Sequence, residues 1–220
     1  MKHENDIIIS WLSDIAVELN HRAKLSGRDL IFYPFHVFSD ELPVIVLSMM
    51  MEKKLYVISD VSEDDWLRKW GEGSTSFRNL WLQNLNLCNP FELQAIEATR
   101  MIKRIVGERR RGQCEFALFP DALPEYTVRL RGGQNYTKAC IFNRPSLLHS
   151  GGFSFPKIMQ KDVLPFYIYV RRGKIKLEVL PVVEKENIND ELPILIETVI
   201  QEMHDQWMLW HFPSFFYFNG

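Results

Sequence analysis

The chain has 220 residues, of which 46% are hydrophobic and 25% are charged, and its formal net charge at pH 7 is −2. This composition is typical of a globular protein with a full hydrophobic core, and it excludes a disordered, collagen-like or disulfide-rich chain. The three cysteines form no CxxC pair. No apolar run approaches the roughly 20 residues that span a bilayer, so we expect a soluble, cytoplasmic protein without membrane association.

Periodicity in the first half predicts a helix followed by three strands. Apolar residues at helical spacing run over 5–24, and Gly27 ends that helix. Three strand-like runs separated by polar turns then predict an antiparallel meander, and these are Leu30–Phe38, Pro43–Met50 and Leu55–Ser59. Residues 62–87 show a helical pattern that Gly71 and Gly73 interrupt.

The second half is predicted to consist of a central helix, a series of hairpins and a final helix. Asn89-Pro90 is a typical helix start, and the helix extends to about Arg111. The following elements are a strand at Cys114–Phe119, hairpins at Tyr126–Phe142 and Leu164–Val182, a Pro/Gly/Ser-rich loop at Asn143–Lys161 and a helix at Asp190–His211.

This order of elements predicts an α+β fold. Antiparallel sheets of hairpins would carry the N-terminal, central and C-terminal helices on one face. We expect a single domain over residues 1–220. A division into an α-βββ-α lobe (1–88) and a lobe with the central helix, the basic hairpins and the C-terminal helix (89–220) is the alternative.

Charge is distributed unevenly along the chain. Residues 100–176 contain 16 of the 26 Lys and Arg but 5 of the 28 Asp and Glu, which gives that segment a net charge of +11 and the rest of the chain −13. Such asymmetry indicates either a polyanionic partner or a fold whose basic and acidic surfaces neutralise each other. The last helix carries candidates for such neutralisation, namely Glu191, Glu197, Glu202 and Asp205.

The two predicted hairpins place tyrosines opposite cations. A two-residue turn at Arg172-Gly173 makes one face of the second hairpin apolar and the other polar. Its polar face then carries the pairs Arg171 with Lys174, Tyr169 with Lys176, and Tyr167 with Glu178. A turn at Gly132-Gly133 gives the first hairpin similar pairs, which are Arg131 with Gln134, Arg129 with Tyr136, and Thr127 with Lys138.

These residue types suit nucleic acid. Arg and Lys neutralise phosphates, and a tyrosine on a sheet can stack on an unpaired base. The end of the central helix adds further cations. The sequence predicts a non-catalytic binding protein for nucleic acid or another polyanion, and the candidate residues are Arg109, Arg110, Arg111, Arg129, Arg131, Tyr136, Lys138, Tyr167, Tyr169, Arg171, Arg172, Lys174 and Lys176.

An aromatic C-terminus supports a second hypothesis. Seven aromatic residues lie between Trp207 and Phe218. They either wrap into the core or anchor a protein partner or a second copy of the chain, because aromatic side chains dominate interface hot spots. A protein-interaction or adaptor subunit is therefore the alternative function, with candidate contacts Trp207, Trp210, Phe215 and Phe216.

A metal-dependent nuclease is the third hypothesis. Pro120-Asp121 matches the opening of a PD-(D/E)xK motif, but neither Glu125 nor Glu178 is followed by Lys two residues later. The six histidines include no HExxH motif and no pair at i, i+4. We therefore predict no metal site, no cofactor and no catalytic residue.

Overall fold

The computed structural model describes residues 2–58, 84–88, 95–122 and 136–211. Within these ranges lie eight strands, which are β1 (Leu30–Pro34), β2 (Lys54–Ile58), β3 (Leu85–Cys88), β4 (Cys114–Leu118), β5 (Tyr136–Ile141), β6 (Arg144–His149), β7 (Asp162–Arg171) and β8 (Lys174–Val179). The same ranges hold five α-helices and a final 3-10 turn, which are α1 (Lys2–Leu25), α2 (Glu41–Met50), α3 (Ala95–Arg110), α4 (Gly151–Met159), α5 (Ile188–Glu202) and Met208–His211. None of these helices is both long enough and apolar enough to cross a bilayer.

A six-stranded sheet organises the fold, and its strand order is β3-β2-β4-β1-β7-β8. The first five strands of that order run parallel, whereas β8 is antiparallel to β7. The α+β class is confirmed. The predicted antiparallel arrangement holds for the β7–β8 hairpin, and β5 and β6 form an antiparallel pair that was not predicted, but the main sheet is mostly parallel. The division of the chain into domains stays a prediction.

The segment predicted as the second strand is a helix, and this explains the parallel sheet. The Ser39 hydroxyl accepts hydrogen bonds from the N–H groups of Glu41 (3.2 Å) and Leu42 (3.3 Å), which satisfies two donors at the start of α2. The six residues Pro43 to Ser48 are all buried. The run therefore has no alternation of apolar and polar residues, and its sequence pattern does not distinguish a helix from a strand. With a helix between them, β1 and β2 can be parallel.

Helices cover both faces of the sheet, so the prediction that they pack on one face is wrong. α1 and α2 pack on one face through residues such as Leu19 and Ile45. α3, α4 and α5 pack on the other face through residues such as Ile105, Phe153 and Ile196. A connection between two parallel strands has to pass over one face of the sheet. Because such crossovers are almost always right-handed, connections that lead to one side along the sheet lie on one face, and those that lead to the other side lie on the opposite face.

The predicted register of the second hairpin is confirmed. Arg171 lies opposite Lys174, and the other two predicted polar-face pairs, Tyr169 with Lys176 and Tyr167 with Glu178, are also present. The turn residues Arg172 and Gly173 both have positive φ (54° and 68°), as a type I′ turn requires.

The first hairpin is described only in part. Its predicted first strand and its Gly132-Gly133 turn lie outside the described residues. Its second strand is β5, which pairs with β6 through a turn at Phe142-Asn143. The loop predicted over Asn143–Lys161 is wrong, because that segment holds β6 and α4. Burial of Phe153 stabilises a helix that its Gly and Pro content disfavours.

Candidate functional site

The connections after β1 and β4 leave these neighbouring strands in opposite directions. β1 leads through α2 to β2, whereas β4 leads through β5, β6 and α4 to β7 on the other side of β1. In an open parallel sheet, such a divergence forms a crevice at the carboxyl ends of the strands, where ligands bind. We call this side of the sheet the carboxyl edge and the opposite side the amino edge.

Asp121 lies at the carboxyl edge, three residues after β4, and its side chain is 0% exposed. Its Oδ1 accepts a hydrogen bond from His36 Nδ1 (2.8 Å). Its Oδ2 accepts one from the His36 backbone N–H (3.0 Å) and one from Trp207 Nε1 (2.9 Å). A buried carboxylate is costly without such partners, and these three donors supply them.

This arrangement fixes the orientation of the His36 ring. Because Nδ1 donates to the carboxylate, this hydrogen bond holds the ring against Asp121. The Phe119 ring lies 4.4 Å from the imidazole, centroid to centroid. Both Asp121 oxygens accept hydrogen bonds from N–H groups, so this carboxylate serves to hold the surrounding chain in place.

Among the described side chains, no group of three or more His, Cys, Asp or Glu is placed to hold a metal ion.

A short segment after α5, residues 203–208, crosses the carboxyl edge, and we call it the strap. Val37, after β1, forms an antiparallel bridge with Trp207 of the strap. The Met208 N–H donates to the His36 carbonyl (2.8 Å). The strap therefore adds a short strand-like pairing to the chain that leaves β1, and Asp121 ties both together.

Gln206 connects the strap to the second hairpin. Its backbone carbonyl accepts a hydrogen bond from the Phe38 N–H (2.7 Å). Its side-chain amide accepts from the Val170 N–H (2.8 Å) and donates to the Val170 carbonyl (3.0 Å). β1 pairs with β7 only as far as Phe166, so Gln206 satisfies the backbone of β7 where that strand extends past β1.

The end of the second hairpin carries four exposed cations, which we call the basic tip: Arg171, Arg172, Lys174 and Lys176. Within the described part of the chain, no ion pair joins any of them to a carboxylate. The tip lies at the carboxyl edge because β7 ends there. Its positive charge therefore faces solvent at that edge.

The acidic last helix covers the base of the hairpin and leaves the basic tip exposed. The Tyr167 hydroxyl donates to Glu202 of α5 (3.1 Å), and the phenol is buried. Burial and the adjacent Glu202 carboxylate raise the pKa of Tyr167. Tyr169 is half-buried, with its ring 5.7 Å from that of Tyr167. Of the two predicted ligand-contacting tyrosines on β7, Tyr169 is therefore the more accessible one.

Arg109 lies at the amino edge and is buried among carboxylates. Its guanidinium pairs with Asp29 and with Glu115 (3.0 Å), and it donates to the Leu30 carbonyl (3.2 Å). Burial acts to raise the pKa of Asp29, but hydrogen bonds from Lys161 and Arg109 outweigh it and lower that pKa. Burial raises the pKa of Glu115. Arg109 therefore neutralises charge inside the fold, and we exclude it from a phosphate-binding surface.

Arg110 and Arg111 are exposed but lie at the amino edge, because α3 ends there just before β4 begins at Cys114. The length of the sheet therefore separates them from the basic tip. Lys138 is exposed on β5, outside the six-stranded sheet. Tyr136, also on β5, packs its ring 5.7 Å from the ring of His149. Two other predicted cations lie outside the described residues, Arg129 and Arg131.

The aromatic C-terminus is described only as far as the final 3-10 turn. Trp207 is 2% exposed and belongs to the core, so its side chain is not open to a partner. Trp210 lies in the final turn, whereas Phe215 and Phe216 lie outside the described residues.

Sequence reasoning did not identify the contact of His36 and Trp207 with Asp121 at the carboxyl edge. His36 and Asp121 each follow a buried strand, and this position was the signal available, because strand ends meet at one edge of a parallel sheet. The mistaken assignment of α2 as a strand concealed this signal, because it predicted an antiparallel sheet.

No protein-family model and no curated protein matches this chain at a significant level.

Proposed function

We propose that the chain binds nucleic acid, as a polyanion and without catalysis, through the basic tip at the carboxyl edge. The observation that supports this most directly is the group of four exposed cations without a carboxylate partner in the described residues. Unneutralised cations on one surface attract phosphates and release counterions. At the amino edge, Arg109, Lys161 and Arg28 pair with carboxylates. Arg110 and Arg111 are exposed at that edge without an ion pair in the described residues, so they provide the comparison for the basic tip.

Charge reversal at the basic tip tests this function. In the triple variant Arg171→Glu, Arg172→Glu, Lys174→Glu, we expect binding to labelled DNA and RNA oligonucleotides to fall below detection near physiological salt. The measurement is fluorescence anisotropy over a salt series. For the wild type, the slope of log K against log salt should reflect about 0.7 released counterions per phosphate contact on a single strand and about 0.9 on a duplex.

A matched control changes the same charge at the other edge of the sheet. The variant Arg104→Glu, Arg110→Glu, Arg111→Glu reverses three exposed cations in α3 and directly after it. We expect affinity close to that of the wild type, apart from a modest long-range effect of net charge that salt screens. Equal loss in both triple variants, or wild-type binding that does not change with salt, would contradict the proposal.

A further inference from the structure

Phe38 is an exposed aromatic residue in an unfavourable backbone conformation. Its φ is +61°, and 47% of its surface is exposed. The Ser39 N–H donates to the Val37 carbonyl (2.7 Å), which closes a three-residue turn around Phe38. A turn of this kind with positive φ at its centre is the rare and strained form of the γ-turn. Glycine or asparagine occupies such a position with less strain.

The surrounding structure holds this turn in place. The Val37–Trp207 bridge lies immediately before it, and the Phe38 N–H is bonded to the strap. Asp121 anchors both sides of this pairing, through the backbone of His36 and the indole of Trp207. Strained residues that persist under such constraints concentrate at ligand-binding sites.

Burial does not explain why an aromatic residue occupies this position. Within the described residues, Phe38 belongs to neither hydrophobic core. A single exposed apolar residue is ordinary on a protein surface. Phe38 combines this exposure with a strained backbone and a position at the carboxyl edge, and the three together motivate a ligand contact.

Phe38 and the basic tip are on the same edge and are joined by one residue. The Gln206 carbonyl bonds the Phe38 N–H, and the Gln206 side chain bonds the backbone of Val170, which directly precedes Arg171. An aromatic face beside a group of cations is the combination that binds single strands, because phosphates contact the cations while a base stacks on the ring. A duplex has its bases already stacked.

We propose that Phe38 stacks on an unpaired base of a single-stranded nucleic acid whose phosphates contact the basic tip. This proposal rests on the proposed function and narrows its ligand to single strands. It assigns Phe38 to recognition of the base and the basic tip to recognition of the backbone.

The substitutions Phe38→Gly and Phe38→Trp test the proposal. Loss of one stacked base should weaken binding of single-stranded DNA and RNA roughly 5- to 150-fold in Phe38→Gly. The salt slope should not change, because no charge is removed. Phe38→Trp should retain wild-type affinity. Glycine adopts a positive φ without strain, and this gain offsets the small entropic cost of ordering a glycine. The melting temperature of Phe38→Gly should therefore stay close to that of the wild type.

The results separate this proposal from the proposed function. If the wild type binds with a salt-dependent affinity that the tip reversal abolishes, but Phe38→Gly binds single strands as tightly as the wild type, the stacking role is wrong and the tip function stands. Equal affinity of the wild type for single strands and duplex would also overturn it. If the wild type binds no nucleic acid, the proposed function fails first.

Discussion

At the scale of single residues, Asp121 has the largest structural effect at the carboxyl edge. One buried carboxylate accepts three N–H donors from the chain after β1 and from the strap. Ionised acceptors form stronger hydrogen bonds than neutral ones, and an unsatisfied buried donor carries a large desolvation cost. The conformation of the loop that carries Phe38 therefore depends on this residue.

We expect Asp121→Asn to destabilise the fold by about 3 kcal/mol, because the amide nitrogen replaces one acceptor with a donor that faces N–H groups. Chemical denaturation measures this change. Asp205→Asn makes the same substitution at an exposed position of the strap, and it should change stability by less than about 0.5 kcal/mol. Equal stability of the two variants would show that the Asp121 hydrogen bonds contribute little.

At the scale of elements, the β7–β8 hairpin and α2 show what a local pattern can predict. Along each strand of the hairpin, apolar and polar residues alternate, so one face is apolar and the other is polar. A register slip of one residue would move the apolar residues to the polar face, and the sequence therefore determines the register. In α2, the apolar run is continuous and buried all round. Such a run is compatible with a helix or a strand, and packing between α1 and the sheet decides for the helix.

One substitution in the turn of the same hairpin is expected to raise the stability of the fold and to weaken the proposed binding. Arg172 occupies a position with φ of 54°, where Asn before Gly is strongly preferred. We expect Arg172→Asn to stabilise the fold by about 0.5 kcal/mol. It should also lower the salt slope for single strands by about 0.7.

Arg171→Asn is the matched control for this turn substitution. It removes the same charge from a strand position, so the salt slope should fall equally while stability does not rise. Thermal unfolding and anisotropy in a salt series measure both effects. If Arg172→Asn lowers stability as much as Arg171→Asn does, the turn argument is wrong.

At the scale of the whole molecule, the charges separate by edge. Carboxylates pair with some of the basic residues of the amino edge, such as Arg109 and Arg28, whereas no member of the basic tip at the carboxyl edge has such a partner in the described ranges. The two explanations for the charge asymmetry therefore apply to different ends of one sheet. Neutralisation within the fold accounts for the paired cations of the amino edge, and a polyanionic ligand is proposed for the carboxyl edge.

The buried phenols and a buried thiol predict loss of stability at high pH. Burial and Glu108 raise the pKa of Tyr56 to about 12 from 10.0, and burial raises that of Cys114 to about 11 from 9.0. Burial also raises the pKa of Tyr33 and Tyr167. A folded pKa above the unfolded one means that the folded state binds more protons, so the stabilisation is complete below pH 9.0 and declines as pH rises towards about 12.

Denaturant midpoints in a series of buffers above neutral pH test this prediction. The decline should be less steep in Tyr56→Phe, which removes one of the titrating groups. A midpoint that stays constant up to the pKa of Tyr56, about 12, would contradict the burial of these side chains.

The sequence by itself determined the α+β class, the register of the β7–β8 hairpin and its exposed cations, because alternation and turn chemistry are local properties. The tertiary structure alone decided that the main sheet is parallel, that Arg109 is buried among carboxylates, and that His36, Asp121 and Trp207 meet. These residues are far apart in the chain, and strand order brings them together. Strand order depends on which apolar runs form crossover helices rather than strands. An apolar run forms such a helix where its burial covers a face of the sheet, and this depends on contacts between distant parts of the chain.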